Sequence, residues 1–241
     1  MTEGAETHTS QINTEEYEAY FEGFLRQGLD VLHLVLSSGI TNSLQSACTA
    51  AASLEARYPG RRVEVIDSLA ASSGFGLLVD LAADRRDEGY SLDQLVDWIY
   101  ANRLRIHHWF FSTDLTFYIK GGRVSKTAGF VCKMLNICPL LNVDVHGKLI
   151  PREKIRTARK AITVTEEHME RLAQDRLNYS GKCFISHSDC EEEARTLAKL
   201  IESRFPHLDG PVQVNWIGST IGAHSGPGTV ALFFVGDERK D

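Results

Sequence analysis

The chain has 241 residues, 43% hydrophobic and 24% charged, with a net charge of −6. That length and balance exclude a disordered or fibrous chain and allow one large domain or two modest ones, each with its own core. No apolar run nears the roughly 20 residues of a membrane helix, and Met1-Thr-Glu-Gly-Ala-Glu6 lacks the basic and apolar regions of a secretion signal, so neither membrane insertion nor export is expected.

Residues 1–12 are polar and read as a mobile tail. Asn13-Thr-Glu-Glu16 fits a helix start, with a capping side chain three residues before a glutamate. Tyr17, Tyr20, Phe21, Phe24 and Leu25 then form one apolar helical stripe. Val31–Leu36 reads as a buried strand, followed by the hydroxyl-rich Ser37-Ser-Gly-Ile-Thr-Asn-Ser43 and an alanine-rich helix from Leu44 to about Tyr58. The same grammar repeats as a strand at Arg62–Asp67, a polar loop at Ser68–Ser73 and helices at Gly74–Arg86 and Leu92–Arg105.

Alternation of strands and helices predicts a parallel α/β sheet, with any ligand at the carboxyl ends of its strands, where both polar loops fall. From about residue 106 strands are expected at His108–Phe111, Pro139–Val143, Lys148–Ile150, Cys183–Ser186, Val212–Ile217 and Val230–Val235. Helices are expected near Ala128–Leu135, Lys160–Arg176 and Glu191–Arg204, and a hairpin turn at Val143–Lys148. The expected architecture is therefore a parallel α/β domain over residues 1–105 and an α+β domain over 106–241.

Two loops carry the chemistry. Unpaired N–H groups at the end of Ser37–Ser43 would attract a carboxylate or phosphate, with Thr41 or Ser43 adding a hydroxyl; Thr41, Asn42 or Ser43 also suits a plain helix cap. Ile221-Gly-Ala-His-Ser-Gly-Pro-Gly228 sets one imidazole among glycines, which suits an anion-facing loop or a turn whose histidine caps local backbone. Between Lys120 and Lys160 ten basic residues face only Asp144 and Glu153, so this stretch carries +8 and the remainder −14. A basic stretch of this kind meets anions or forms a solvated helical face.

Nucleic acid is not an expected partner, since Phe130 is the stretch's single aromatic. No phosphate-binding P-loop occurs, Gly74-Phe-Gly76 lacks the third glycine of a dinucleotide fingerprint, and no zinc-binding helix motif occurs, so neither cofactor nor metal is expected. Five cysteines without a C-x-x-C spacing point to a reduced, cytoplasmic setting. A lipid or phosphate-ester hydrolase using Thr41 or Ser43 with His224 is the alternative to a binding protein, but no carboxylate third member is evident.

Thr9-Ser-Gln11, Leu36–Ala47, Lys120-Gly-Gly-Arg-Val-Ser-Lys126 and Ile221–Gly228, supported by Val65-Ile-Asp-Ser68 and Glu153-Lys-Ile-Arg-Thr157, resemble the DegV family of bacterial fatty-acid-binding proteins from about Thr9 to Val235. The resemblance implies two α/β domains with a long-chain fatty acid buried at and behind their junction, and a binding protein rather than an enzyme. It implies that Thr9, Thr41 and His224 hold the carboxylate, with Ser38 in the same loop and Arg123 and Arg156 near the mouth. Thr41 stands where the family more often has serine, and Asn42 where it usually has glycine. Some members present the acid to a fatty acid kinase for phospholipid synthesis, which makes such a kinase an expected partner. Phe75, Leu77, Phe130, Met134 and Leu135 are candidate lining residues or core.

Family members usually open with a strand, an Asp-Ser loop and a second strand before Thr-Ser-Gln, so the first domain is expected to be shortened here. Thr9 is expected in a loose tail, held less firmly than Thr41 and His224. A third reading follows from that shortening: a partner-binding remnant that has lost its lipid.

Overall fold

The computed structural model describes residues 1, 4, 6–124 and 137–240. The chain starts with helix α1 (Thr14–Leu25), where the Asn13 side chain and Glu16 form the expected reciprocal cap. Strand β1 (Val31–Val35), helix α2 (Ser43–Arg57) and strand β2 (Val63–Asp67) follow. β1 and β2 pair in parallel, Val31 opposite Val63 and Val35 opposite Asp67, as a two-stranded sheet. Tyr17, Phe21, Val35, Ala47, Ala50, Leu54 and Val63 form the core between this sheet and α1–α2; alanines on α2 let the helices approach closely.

Next come α3 (Ser72–Asp87), α4 (Leu92–Asn102), β3 (Ile106–Ser112), α5 (Thr116–Lys120), β4 (Cys138–Val143), β5 (Leu149–Ile155) and α6 (Ala158–Leu172). The chain continues with β6 (Phe184–Ser188), α7 (Glu191–Arg204), β7 (Gln213–Trp216), α8 (Ser219–Ser225) and β8 (Thr229–Val235). A six-stranded sheet has the order β5-β4-β3-β8-β6-β7. Its pairs are antiparallel except β6 with β7.

Seven consecutive residues of β3 are buried because both sheet faces are covered. Trp109 and Phe111, with Val230, Leu232 and Phe234 of β8, face α6 and α7. Phe110, with Ala231 and Phe233, faces the opposite way, toward Leu77 and Leu78 of α3, Ile99 of α4 and Ile66 of β2. Helix α3 packs on β3, β6 and β8 as well as on α4. By packing, α3 and α4 therefore cover the six-stranded sheet, although the expected boundary at 105/106 groups them with β1 and β2. The reason is apolar area: Leu77, Leu78 and Ile99 complete a sheet face that two short strands do not offer.

Two local expectations change. The segment ahead of Gly226, expected to be a loop, is the last turn of α8, closed by Gly226 at φ 68°. The expected helix near Ala128–Leu135 lies outside the described residues. The Val143–Lys148 turn forms as expected, with Asp144 N–H bonded to Lys148 O and Gly147 N–H to Asp144 O.

Candidate functional site

Because β1 and β2 run in parallel, the loops after them leave the sheet side by side. Ser37 N–H donates to Ala70 O, and the Asp67 carboxylate accepts N–H bonds from Ser38 and Leu69 at 3.1 and 3.0 Å. The β1–α2 loop also backs onto the β4–β5 turn. Buried Ser37 Oγ donates to Gly147 O at 2.8 Å and accepts from Gly39 N–H. Gly39 and Gly147 allow this: a Cβ on Gly39 would sit 2.5 Å from Gly147 O, and one on Gly147 would sit 1.9 Å from Ser37 Oγ. Arg239, buried near the end of the chain, ties the same region together. Its guanidinium donates to Val143 O and Leu69 O. Burial lowers its pKa to about 10, and Asp144 partly offsets this.

Between these loops, α8 and the six-stranded sheet lies a cavity of about 980 Å³, the size of a small-molecule site. Thr9, Ser38, Thr41, Arg123 and His224 all line it. Thr9 Oγ1 is 2.7 Å from His224 Nε2, and Thr7 Oγ1 donates to Ala223 O, so the segment before α1 is tied to α8. This corrects the loose-tail expectation: a contact across 215 residues of sequence holds Thr9. Thr41 Oγ1 is 2.9 Å from Ser43 Oγ and accepts the Ser43 N–H, so it does cap α2 while lining the cavity. Arg123 donates to Gly121 O beside the mouth. Arg156 is exposed just after β5 and does not line the cavity.

His224 is half-buried, and its Nδ1 is buried with no hydrogen-bond partner among the described residues. It lies close over Gly121, where a Cβ would come within 2.4 Å. Burial, and then the Arg123 charge, lower its pKa, so a neutral imidazole meets the cavity near pH 7. Hydroxyls, a neutral imidazole and one guanidinium around an apolar chamber can hold an anionic head without leaving it buried and unpaired.

The same geometry weighs against hydrolysis. Thr41 and Ser43 bond each other rather than His224, and among the described residues no carboxylate orients His224 Nδ1. Among the described residues no cluster of three or more His, Cys, Asp or Glu side chains could hold a metal, and no helix is long and apolar enough to cross a membrane. Cys48, Cys138, Cys183 and Cys190 are free thiols.

Leu34, Val35, Phe110, Val143, Ala231 and Phe233 form much of the apolar wall. His108 joins them as an effectively apolar ring. Its Nδ1–H donates to Ile106 O and its Nε2 accepts from Ala71 N–H, while full burial holds its pKa well below the usual range. Phe75 and Leu77 do not line the cavity, and Leu77 is core. Phe130, Met134 and Leu135 lie outside the described residues. Sequence reading missed Lys148, Tyr118, Ser225 and Thr229 as lining residues. Ser225 sat inside the glycine-rich motif beside His224, so adjacency was the available signal.

A family model described as "Uncharacterised protein, DegV family COG1307" matches residues 1–237. A DegV domain-containing protein of Clostridium perfringens is 33% identical over 240 residues, covering 100% of this chain and 81% of its own length. A fatty-acid-binding DegV family protein of Thermus thermophilus superposes with a TM-score of 0.86 at 26% identity, covering 98% of this chain and 81% of that one. The Fatty Acid Kinase (Fak) B3 protein of Streptococcus pneumoniae, solved loaded with linoleic acid, shares the fold with a TM-score of 0.83 at 22% identity, covering 95% and 78% of the two chains. This chain belongs to the DegV family.

Proposed function

We propose that this protein binds a long-chain fatty acid without catalysing its turnover and presents it, in the cytoplasm, to a fatty acid kinase. The observation that carries the reading is the Thr9–His224 contact at 2.7 Å, on the wall of a cavity that runs into an apolar chamber. The carboxylate lies against Thr9, Thr41, Ser38 and His224, with Arg123 balancing its charge. The acyl chain runs past Leu34, Phe110 and Phe233. Burying about fourteen methylenes at ~0.8 kcal/mol each contributes roughly 11 kcal/mol before ordering terms, so the head needs only a few donors.

Fatty acid binding by the Thermus thermophilus relative supports the ligand, and the Fak B3 fold neighbour supports the partner class. Arg156, exposed beyond the cavity, is placed to meet an acidic partner surface or the phosphate formed there.

Mass spectrometry of the protein, purified natively and then denatured, should release about one equivalent of a long-chain acid. A lipid-free protein that takes up no added fatty acid overturns the proposal. With a fatty acid kinase and ATP, loaded protein should yield acyl phosphate, and no turnover with any such kinase removes the carrier role.

A further inference from the structure

Two helix ends interlock beside the groups assigned to the carboxylate. Helices α5 and α8 pack on each other, and each sets a ring over a glycine of the other. The Phe117 ring of α5 lies over Gly226, and the His224 ring of α8 lies over Gly121. Gly226 also closes α8 at φ 68°, so its conformation alone asks for glycine. Gly121 is different: it sits at φ −71° and ψ −10°, helical values open to any residue. Glycine there serves space. A Cβ would overlap His224 at Nδ1, and would lie 3.3 Å from its Cγ and 3.2 Å from Phe117 O.

That contact shuts off one side of the imidazole. Nδ1 is buried against Gly121 with no hydrogen-bond partner among the described residues, whereas Nε2 lies 2.7 Å from Thr9 Oγ1 at the cavity wall. A neutral imidazole carries one ring proton, on either nitrogen. On Nδ1 it would be a buried donor without an acceptor, which is unfavourable. On Nε2 it can be donated to an ionised carboxylate, which only accepts.

We propose that Gly121 is a positioning residue for the fatty acid head: the space left by its missing side chain seats the His224 ring, keeps Nδ1 bare and presents Nε2–H to the carboxylate. The inference rests on the fatty-acid reading above and adds how His224 is held. In Gly121→Ala the backbone conformation stays allowed and the histidine ring can turn away, so the loss falls on binding rather than on folding. Gly122 supplies the contrast. It sits at φ 72°, where alanine is strained, yet a Cβ there meets nothing within 4 Å.

Titration calorimetry with hexadecanoic acid on delipidated full-length protein tests this as a double-mutant cycle. Gly121→Ala should weaken binding about 10- to 100-fold, the loss of one hydrogen bond to a charged group, while the melting temperature shifts by less than about 4 °C. In the His224→Ala background the same change should alter affinity by less than about 2-fold. Gly122→Ala should lower the melting temperature, and its effect on affinity should be the same with and without His224. Histidine nitrogen NMR of the loaded protein, assigned by the resonances missing from His224→Ala, should place the ring proton on Nε2. Unchanged affinity in Gly121→Ala overturns the proposal, as does an equal loss in the His224→Ala background. So does a Gly122 effect that depends on His224 as strongly as the Gly121 effect. A proton on Nδ1 overturns it from the unaltered protein alone. If that protein takes up no hexadecanoic acid, the fatty-acid reading itself fails, and this inference with it.

Discussion

Replacing Gly39 with alanine isolates the packing that shapes the β1–α2 loop. The new Cβ would lie 2.5 Å from Gly147 O, 2.6 Å from Gly147 C and 2.6 Å from His146 O, all backbone atoms that cannot rotate aside. Reaching ordinary contact at 3.4 Å requires the loop or the turn to move by about 0.9 Å. That shift stretches the buried Ser37 Oγ–Gly147 O bond from 2.8 Å and loosens the Gly39 N–H bond to Ser37. Overpacking contributes roughly 1–3 kcal/mol and each weakened bond up to about 1 kcal/mol, for a total of about 2–4 kcal/mol. For a chain of this length that lowers Tm by roughly 4–16 °C. Thr41 and Ser38 move with the loop, so fatty acid affinity should fall about 5- to 30-fold, equivalent to one or two head contacts. Circular dichroism melts and titration calorimetry read the two effects. A variant that melts within a degree of the parent and binds as tightly would refute the argument that this backbone contact sets the site.

Three further outcomes follow from the same geometry. His224→Ala removes both the imidazole and the partner of Thr9, and should weaken fatty acid binding about 10- to 100-fold in a titration while leaving the fold intact; unchanged affinity would remove His224 from the head site. Burial holds the His107 pKa at about 4, below its ordinary 6.5, so the unfolded chain takes up a proton that the folded protein refuses. Stability should therefore fall as pH drops from 6.5 toward 4, by about 3 kcal/mol from this group, and urea midpoints should show a flatter profile for His107→Gln; equal slopes for the two proteins would refute the assignment. Arg239→Met leaves the Val143 and Leu69 carbonyls without their donor, and should cost about 2–4 kcal/mol in urea unfolding, with faster amide exchange at Ser38 and Gly39. A loss confined to the last residues of the chain would contradict that role.

Much of the fold was legible because it is set locally. Apolar runs marked eight strands, Val31–Leu36 and Val230–Val235 among them, which form as Val31–Val35 and Thr229–Val235, and the Asn13–Glu16 cap marked the first helix. The glycine-rich segment around His224 was recognisable by its residues but not by its conformation. Seven residues that include Gly222 make a poor helix alone; α8 is held by its contacts with α5 and closed by Gly226. Helix α5 was missed for the same reason, since five residues lie below any readable period.

The candidate head site was legible only residue by residue. Thr9, Thr41, Ser38, Arg123 and His224 meet at one cavity, whereas Arg156 stands outside it. Packing of α3 and α4 on the six-stranded sheet was likewise invisible, because an apolar stripe shows that a helix buries a face and not which surface covers it.

The sequence by itself determined the elements, the apolar faces and the set of polar groups able to hold an anion, since period, capping and composition act over a few residues. Only the tertiary structure decided that Thr9 meets His224, that Gly39 lies on Gly147, and that Arg239 reaches the carbonyls of Val143 and Leu69. Each of these joins segments distant in the chain or depends on the packing around it, and such contacts are fixed by the collective burial of three cores rather than by any local signal.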